Sequence, residues 1–113
     1  MLEDLGIVGI SWRQNGTEAL GRFALPEDSA PVRLAQFAER AALSELAYLE
    51  TCNRVEIIFS RTTETPARDI RPLVYELLTG RPSAAGEAER SFKAWQGEGA
   101  CEHLFLVAAG LDS

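Results

Sequence analysis

Lysine is nearly missing from this chain: of its 11 basic residues ten are arginine, and Lys93 is the exception. Against them stand 17 Asp and Glu, for a net charge of −6. The bases are scattered, so the basic patch of a stand-alone nucleic-acid module is absent. If the domain handles RNA, a few local arginines or other domains must hold it; arginine suits carboxylate and phosphate forks better than a diffuse cationic coat. No apolar run nears the roughly 20 residues that span a bilayer, which excludes a membrane partner. The start, Met1-Leu2-Glu3-Asp4, lacks the basic region of a secretory signal. Two cysteines without such a signal predict free thiols in a reducing cytoplasm. There is one histidine, His103, and two cysteines plus one histidine at these separations do not make a zinc set. Also missing are G-x-G-x-x-G, the G-x-x-x-x-G-K-[ST] loop and the G-x-S-x-G elbow. The chain by itself is therefore expected to bind no dinucleotide and no nucleoside triphosphate.

What is present is ordinary for a globular protein: 113 residues, 46% hydrophobic, 25% charged. That length predicts one domain burying roughly two thirds of its unfolded surface. Leu5 to Trp12 reads as a buried strand, closed by a turn at Gln14-Asn15-Gly16. Thr17 to Leu25 is ambiguous, because Gly21 weakens a helix. Ser29 can cap a helix that begins near Pro31 and carries Leu34, Phe37, Ala38, Ala41 and Ala42 on one side. Two strands follow, Glu45–Glu50 and Val55–Phe59, with Thr51-Cys52-Asn53-Arg54 between them. Arg61 to Pro66 is a polar loop. A second helix opens at Pro66, buries Ile70, Leu73, Val74, Leu77 and Leu78, and stops at Gly80 and Pro82. Pro82 to Glu89 reads as a surface loop and Phe92–Trp95 as a short edge strand. A last helix spans Glu98 to Leu111, with Cys101, Leu104, Phe105, Val107 and Ala108 as its apolar stripe and Gly110 at the C-cap position. The order β-α-β-β-α-β predicts an α+β, ferredoxin-like antiparallel sheet with helices on one face, plus a C-terminal helix.

Cys52 is the most informative residue. It sits in a strand-to-strand turn among hydrogen-bonding neighbours, and Arg54 two residues on can favour the reactive thiolate. A half-buried structural cysteine is the competing reading. Cys101 falls on the predicted stripe and reads as a small core hydrophobe. His103 lies two residues after it, on a different helical face, and is the one side chain whose ordinary titration lies near neutrality. Trp12 and Trp95, at strand ends, could stack a base, although packing is the better reading.

Gly9-Ile10-Ser11, then Glu50-Thr51-Cys52-Asn53-Arg54-Val55-Glu56-Ile57, then His103-Leu104-Phe105-Leu106-Val107-Ala108-Ala109-Gly110-Leu111-Asp112-Ser113 resemble the N-terminal catalytic domain of the glutamyl-tRNA reductase family. The resemblance covers essentially all of residues 1–113 and implies a domain excised from a longer enzyme whose NADPH-binding and dimerisation domains lie beyond it. By motif, it implies Cys52 as nucleophile toward the ester of glutamyl-tRNA and His103 as general acid/base or orienting donor. Thr51, Asn53, Arg54 and Ser113 are implied as substrate-binding, with Arg54 forking the glutamate carboxylate. The thioester would be reduced by NADPH to glutamate 1-semialdehyde for tetrapyrrole synthesis. NADPH is thus implied for the full-length enzyme and none for this chain, with glutamate-1-semialdehyde aminotransferase as a further partner and a homodimer formed only through the C-terminal domain. The first motif departs from the family: Trp12 stands where His is usual, Gln14-Asn15-Gly16 where Thr-Ala-Pro is usual, and Leu20-Gly21 where Arg-Glu is usual. Glu50 stands where Ser is common. The alternative is a non-catalytic ferredoxin-like interaction domain in which Cys52 is structural.

Overall fold

Four strands, β1 (Leu5–Ser11), β2 (Leu43–Glu50), β3 (Arg54–Arg61) and β4 (Lys93–Gln96), form one sheet in the order β2-β3-β1-β4. All three pairings are antiparallel. The computed structural model describes residues 4–61 and 66–110. This is the predicted ferredoxin-like arrangement, with β4 at an edge as the sequence suggested. Among the described residues, no helix is long and apolar enough to cross a membrane.

β1 reads as an unbroken apolar run because both of its sides are covered. Val8 and Ile10 enter a core with Val55, Ile57 and Phe59 of β3. The helices α1 (Trp12–Phe23), α2 (Ala30–Arg40), α3 (Arg71–Thr79) and α4 (Glu87–Ser91) close that side; a 3₁₀ turn, Ala67–Ile70, leads into α3. They contribute Phe23, Phe37, Val74, Leu78 and Ala88 to the same core. The last helix, α5 (Glu98–Ala108), packs against β1 and β4 on the other side of the sheet.

Several local expectations hold. Pro72 sits in the first turn of α3, and Gly80 ends that helix in the left-handed region at φ 78°, its N–H bonded to the Glu76 carbonyl. Ser29 is the residue before α2, but its hydroxyl donates to the Pro26 carbonyl and makes no cap bond to the helix. Other expectations are corrected. The ambiguous stretch after Gly16 is helical; the chain breaks only at Gly16, at φ 81°. Gly21 costs about 1 kcal/mol there, less than the roughly 1.5–3 kcal/mol gained by each of the buried Leu20 and Phe23. The surface loop read from Pro82 to Glu89 ends in α4, which tucks the fully buried Ala88 into the core. Of the loop from Arg61 to Pro66, residues 62–65 lie outside the described residues.

Both tyrosines titrate late. Burial, the largest cause, pushes the Tyr48 phenol up to about 12; the neighbouring Glu50 carboxylate adds to this and the Leu25 N–H works against it. Burial likewise raises Tyr75. A phenol that ionises less readily when folded contributes stability that is intact below pH 10 and is lost as pH rises through 12. Ultraviolet titration should therefore show little phenolate until the fold opens; an ordinary phenol titration on folded protein would contradict this.

Candidate active site

The turn between β2 and β3 is built by Thr51. Its Oγ1 accepts the N–H of Asn53 at 3.1 Å and of Arg54 at 3.2 Å, and its own N–H donates to the Arg54 carbonyl at 2.9 Å. A side-chain oxygen serving two successive amides fixes a tight bend. Cys52 is carried at its tip, exposed and with a free thiol. Beneath it runs a shallow groove of about 200 Å³ lined by Leu20, Gly21 and Ala24 of α1 and its C-terminal flank, together with Glu50, Thr51 and Val55. Glu50 is held there by the Tyr48 hydroxyl, which donates to its Oε1 at 2.8 Å.

Strand alternation sends the next two polar residues to the opposite side of the sheet. Arg54 and Glu56 point away from the helical core and are 3% and 1% exposed. Glu56 lies across β1 where its register partner is Gly9. A Cβ on Gly9 would stand 2.6 Å from Glu56 Cγ and 2.7 Å from the Val55 carbonyl oxygen, so only glycine leaves room for this carboxylate. Glu56 Oε2 accepts Arg54 Nη1–H at 3.0 Å and meets His103 Nε2 at 2.5 Å. His103, on α5, is 4% exposed and lies flat on the Trp95 indole of β4, with ring centroids 3.7 Å apart and planes inclined by 14°. An ionised carboxylate accepts only, so Nε2–H is the donor in this contact.

The structure thus gathers Arg54 and His103 onto a shared carboxylate and sets Thr51, Cys52 and Asn53 in the turn above them. Arg54 is not the exposed fork expected from sequence: its guanidinium is turned under the sheet onto Glu56. Thr51 shapes the turn, and Asn53 is half-buried within it. Ser113 lies outside the described residues, as do the side chains of Trp12 and its next three neighbours.

The helix carrying His103 also corrects the sequence reading. Cys101 and Ala108 are exposed, Phe105 is 70% exposed, and the residues α5 buries are Ala100 and His103. α5 is apolar over most of its circumference, so periodicity cannot choose its inner face. Glu56, which takes Nε2, and the Trp95 indole are among the contacts that seat the imidazole inside. One consequence is direct: both thiols of the native chain should alkylate, and peptide mapping that finds label on Cys52 alone would contradict the exposed Cys101. Glu56 lies within the motif around Cys52 without a role being read for it, and Trp95 reads from the sequence only as packing or a platform for a base; the structure brings both against His103. For Glu56 a signal is present in the sequence: a carboxylate inside the apolar strand Val55–Phe59, two residues from Arg54 and so on the same side.

Comparison with known proteins agrees with this fold. The family model described as "Glutamyl-tRNAGlu reductase, N-terminal domain" matches residues 8–113. The chain is 39% identical over 109 residues to a glutamyl-tRNA reductase of Solibacter usitatus, covering 95% of this chain and 25% of that protein. It is 30% identical over 112 residues to one of Ignicoccus hospitalis, covering 99% of this chain and 24% of the relative. The solved structure of glutamyl-tRNA reductase from Methanopyrus kandleri superimposes with a TM-score of 0.69 at 31% identity, over 98% of this chain and 23% of that one. The chain therefore spans about a quarter of the length of the relatives it matches. With the family model matching residues 8–113 and a solved relative sharing the fold at 31% identity, the chain belongs to the glutamyl-tRNA reductase N-terminal domain family.

Proposed function

We propose that this domain performs the acyl-transfer half of glutamyl-tRNA reduction, with Cys52 as nucleophile. The observation that carries the reading is the Thr51-built turn, which exposes one free thiol at the mouth of a groove. The Cys52 thiolate attacks the carbonyl carbon of the glutamyl ester. The C–S bond forms, the bond to the tRNA 3′ oxygen breaks, and that oxygen leaves with a proton. A thiol needs no covalent help beyond ionisation for this step. The proton on the leaving oxygen is taken from solvent at the exposed turn, and His103, Arg54 and Glu56 support the strand that carries the turn from the other side of the sheet.

The glycine nearest the β1–α1 junction does not fit a dinucleotide cradle. β1 passes straight into α1, and Gly9 is packed against Glu56 instead of facing open space. The steps assigned to this chain therefore stop at the thioester; in the reading adopted, hydride delivery from NADPH, which yields the tetrapyrrole precursor, belongs to the rest of the family protein. Left without it, the thioester is lost to water and free glutamate appears. The test is to incubate the chain with glutamyl-tRNA, quench in acid and map the peptides by mass. A glutamyl adduct on the Cys52 peptide supports the reading. An adduct on Cys101 only, or none despite glutamate release, overturns it.

A further inference from the structure

Beside the thiol, the groove beneath Cys52 holds one formal charge. Among the described residues that line it, Glu50 is the carboxylate; apart from Cys52 the others are Thr51 and apolar residues, with no arginine or lysine. Glu50 also borders a second cavity of about 410 Å³, which it shares with Tyr48 and a further carboxylate, Glu27, again without a base among the described residues. The Glu50 carboxylate is held in place. Leu25 N–H donates to the Tyr48 hydroxyl at 2.9 Å, and that hydroxyl donates to Glu50 Oε1 at 2.8 Å. A phenol has one proton to give, and here it goes to the carboxylate. The phenol keeps that proton through neutrality, since its titration is pushed up to about 12. Oε1 is thus engaged, while Oε2 remains for a ligand. The α1 wall of the groove is bare at Gly21, where an added Cβ would meet nothing within 4 Å.

We propose that Glu50 binds the α-ammonium group of the aminoacyl ester, and so makes the groove selective for esters of free amino acids over their N-acylated forms. The proposal deepens the acyl-transfer reading and rests on it for the identity of the ligand. In an aminoacyl ester the α-nitrogen is attached to the carbon next to the carbonyl that the thiolate attacks. A carboxylate that shares the groove with Cys52 is therefore on hand for that nitrogen. An ammonium donating to a carboxylate makes a charge-assisted bond, roughly twice as strong as a neutral one. N-acylation removes the charge and leaves a single N–H. Glu50 is exposed, so water screens part of the attraction, and the preference expected is about 10-fold.

Binding can be read without chemistry. The probes are glutamyl-adenosine with an amide nitrogen in place of the 3′ ester oxygen, and the same compound N-acetylated, each titrated calorimetrically into the full chain. The parent should bind the free amine about 10-fold more tightly than the acetylated form. Glu50→Gln keeps the shape and loses the charge, so it separates the ion pair from steric exclusion of the acetyl group; it should bring the two probes to within about twofold. Tyr48→Phe keeps the carboxylate but loses the hydroxyl that fixes it, and should fall between. In Cys52-dependent release, kcat/KM for glutamyl-tRNA over N-acetylglutamyl-tRNA should follow the same order. A parent that binds both probes alike, or binds neither, overturns the proposal. So does a Glu50→Gln chain that keeps the parental preference. If the probes show the preference and the parent releases no glutamate, the acyl-transfer reading fails by itself and the assignment of Glu50 stands.

Discussion

Glu56→Ala is expected to destabilise the domain by about 3–5 kcal/mol, the usual cost of stripping one partner from a buried ion pair. Arg54 and Glu56 are 3% and 1% exposed, so water cannot take the place of the lost carboxylate without opening the sheet side under α5. His103 loses the acceptor of its Nε2 at the same time. Two buried groups, Arg54 and His103, lose a partner in one substitution. Glu56→Gln should be milder: the amide carbonyl can still accept one bond, although it no longer offsets the Arg54 charge. Denaturant unfolding of the three proteins checks the order. A Glu56→Ala midpoint within error of the parent would show that the buried cluster does not hold the fold as described. Arg54→Met/Glu56→Leu, which removes both charges, should recover much of the loss.

Cys52→Ser is expected to remove glutamate release almost completely, by roughly 10³-fold or more, while leaving stability near that of the parent. The hydroxyl is scarcely ionised near neutrality, so it needs an adjacent base that a thiolate does not. Stability should hold because the bend is made by Thr51 Oγ1 and by backbone, with Cys52 exposed. Cys101→Ser should leave release intact. Release by Cys52→Ser at the parental rate would refute the nucleophile assignment, and a large loss of stability would refute the account of the turn.

The architecture is legible in the sequence because its cues are local. β1 and β3 are apolar runs, Gly80 and Pro82 stop α3, and the turn at Cys52 is marked by Thr51 and Asn53. The exposure of Cys52 at that turn can be read for the same reason. The other side of the sheet cannot. A largely apolar α5 offers no preferred face, so periodicity puts Cys101 in the core and His103 outside it, whereas the structure reverses them. The inversion comes from one contact between residues 47 apart in sequence. Arg54 misleads for a related reason: two residues from an exposed cysteine it looks accessible, yet strand alternation carries it through the sheet to Glu56. The meaning of Gly9 likewise emerges only from its cross-strand partner.

That single long-range contact also orders the birth of the site in time. Cys52, Arg54 and Glu56 lie on one hairpin, β2–β3, the kind of unit that closes in about 1–10 μs. His103 lies on α5, which follows β4 in the chain and meets Glu56 across 47 residues. A chain growing from its N-terminus therefore completes the Cys52 hairpin before the residue that meets Glu56 has been made. In the finished fold the same seam is the natural place for partial opening, since α5 is tied to the sheet by the Glu56–His103 bond and the Trp95 stack. Amide exchange along α5 should accordingly outpace that of β1 and β3. A ligand that engages His103 should slow it there first.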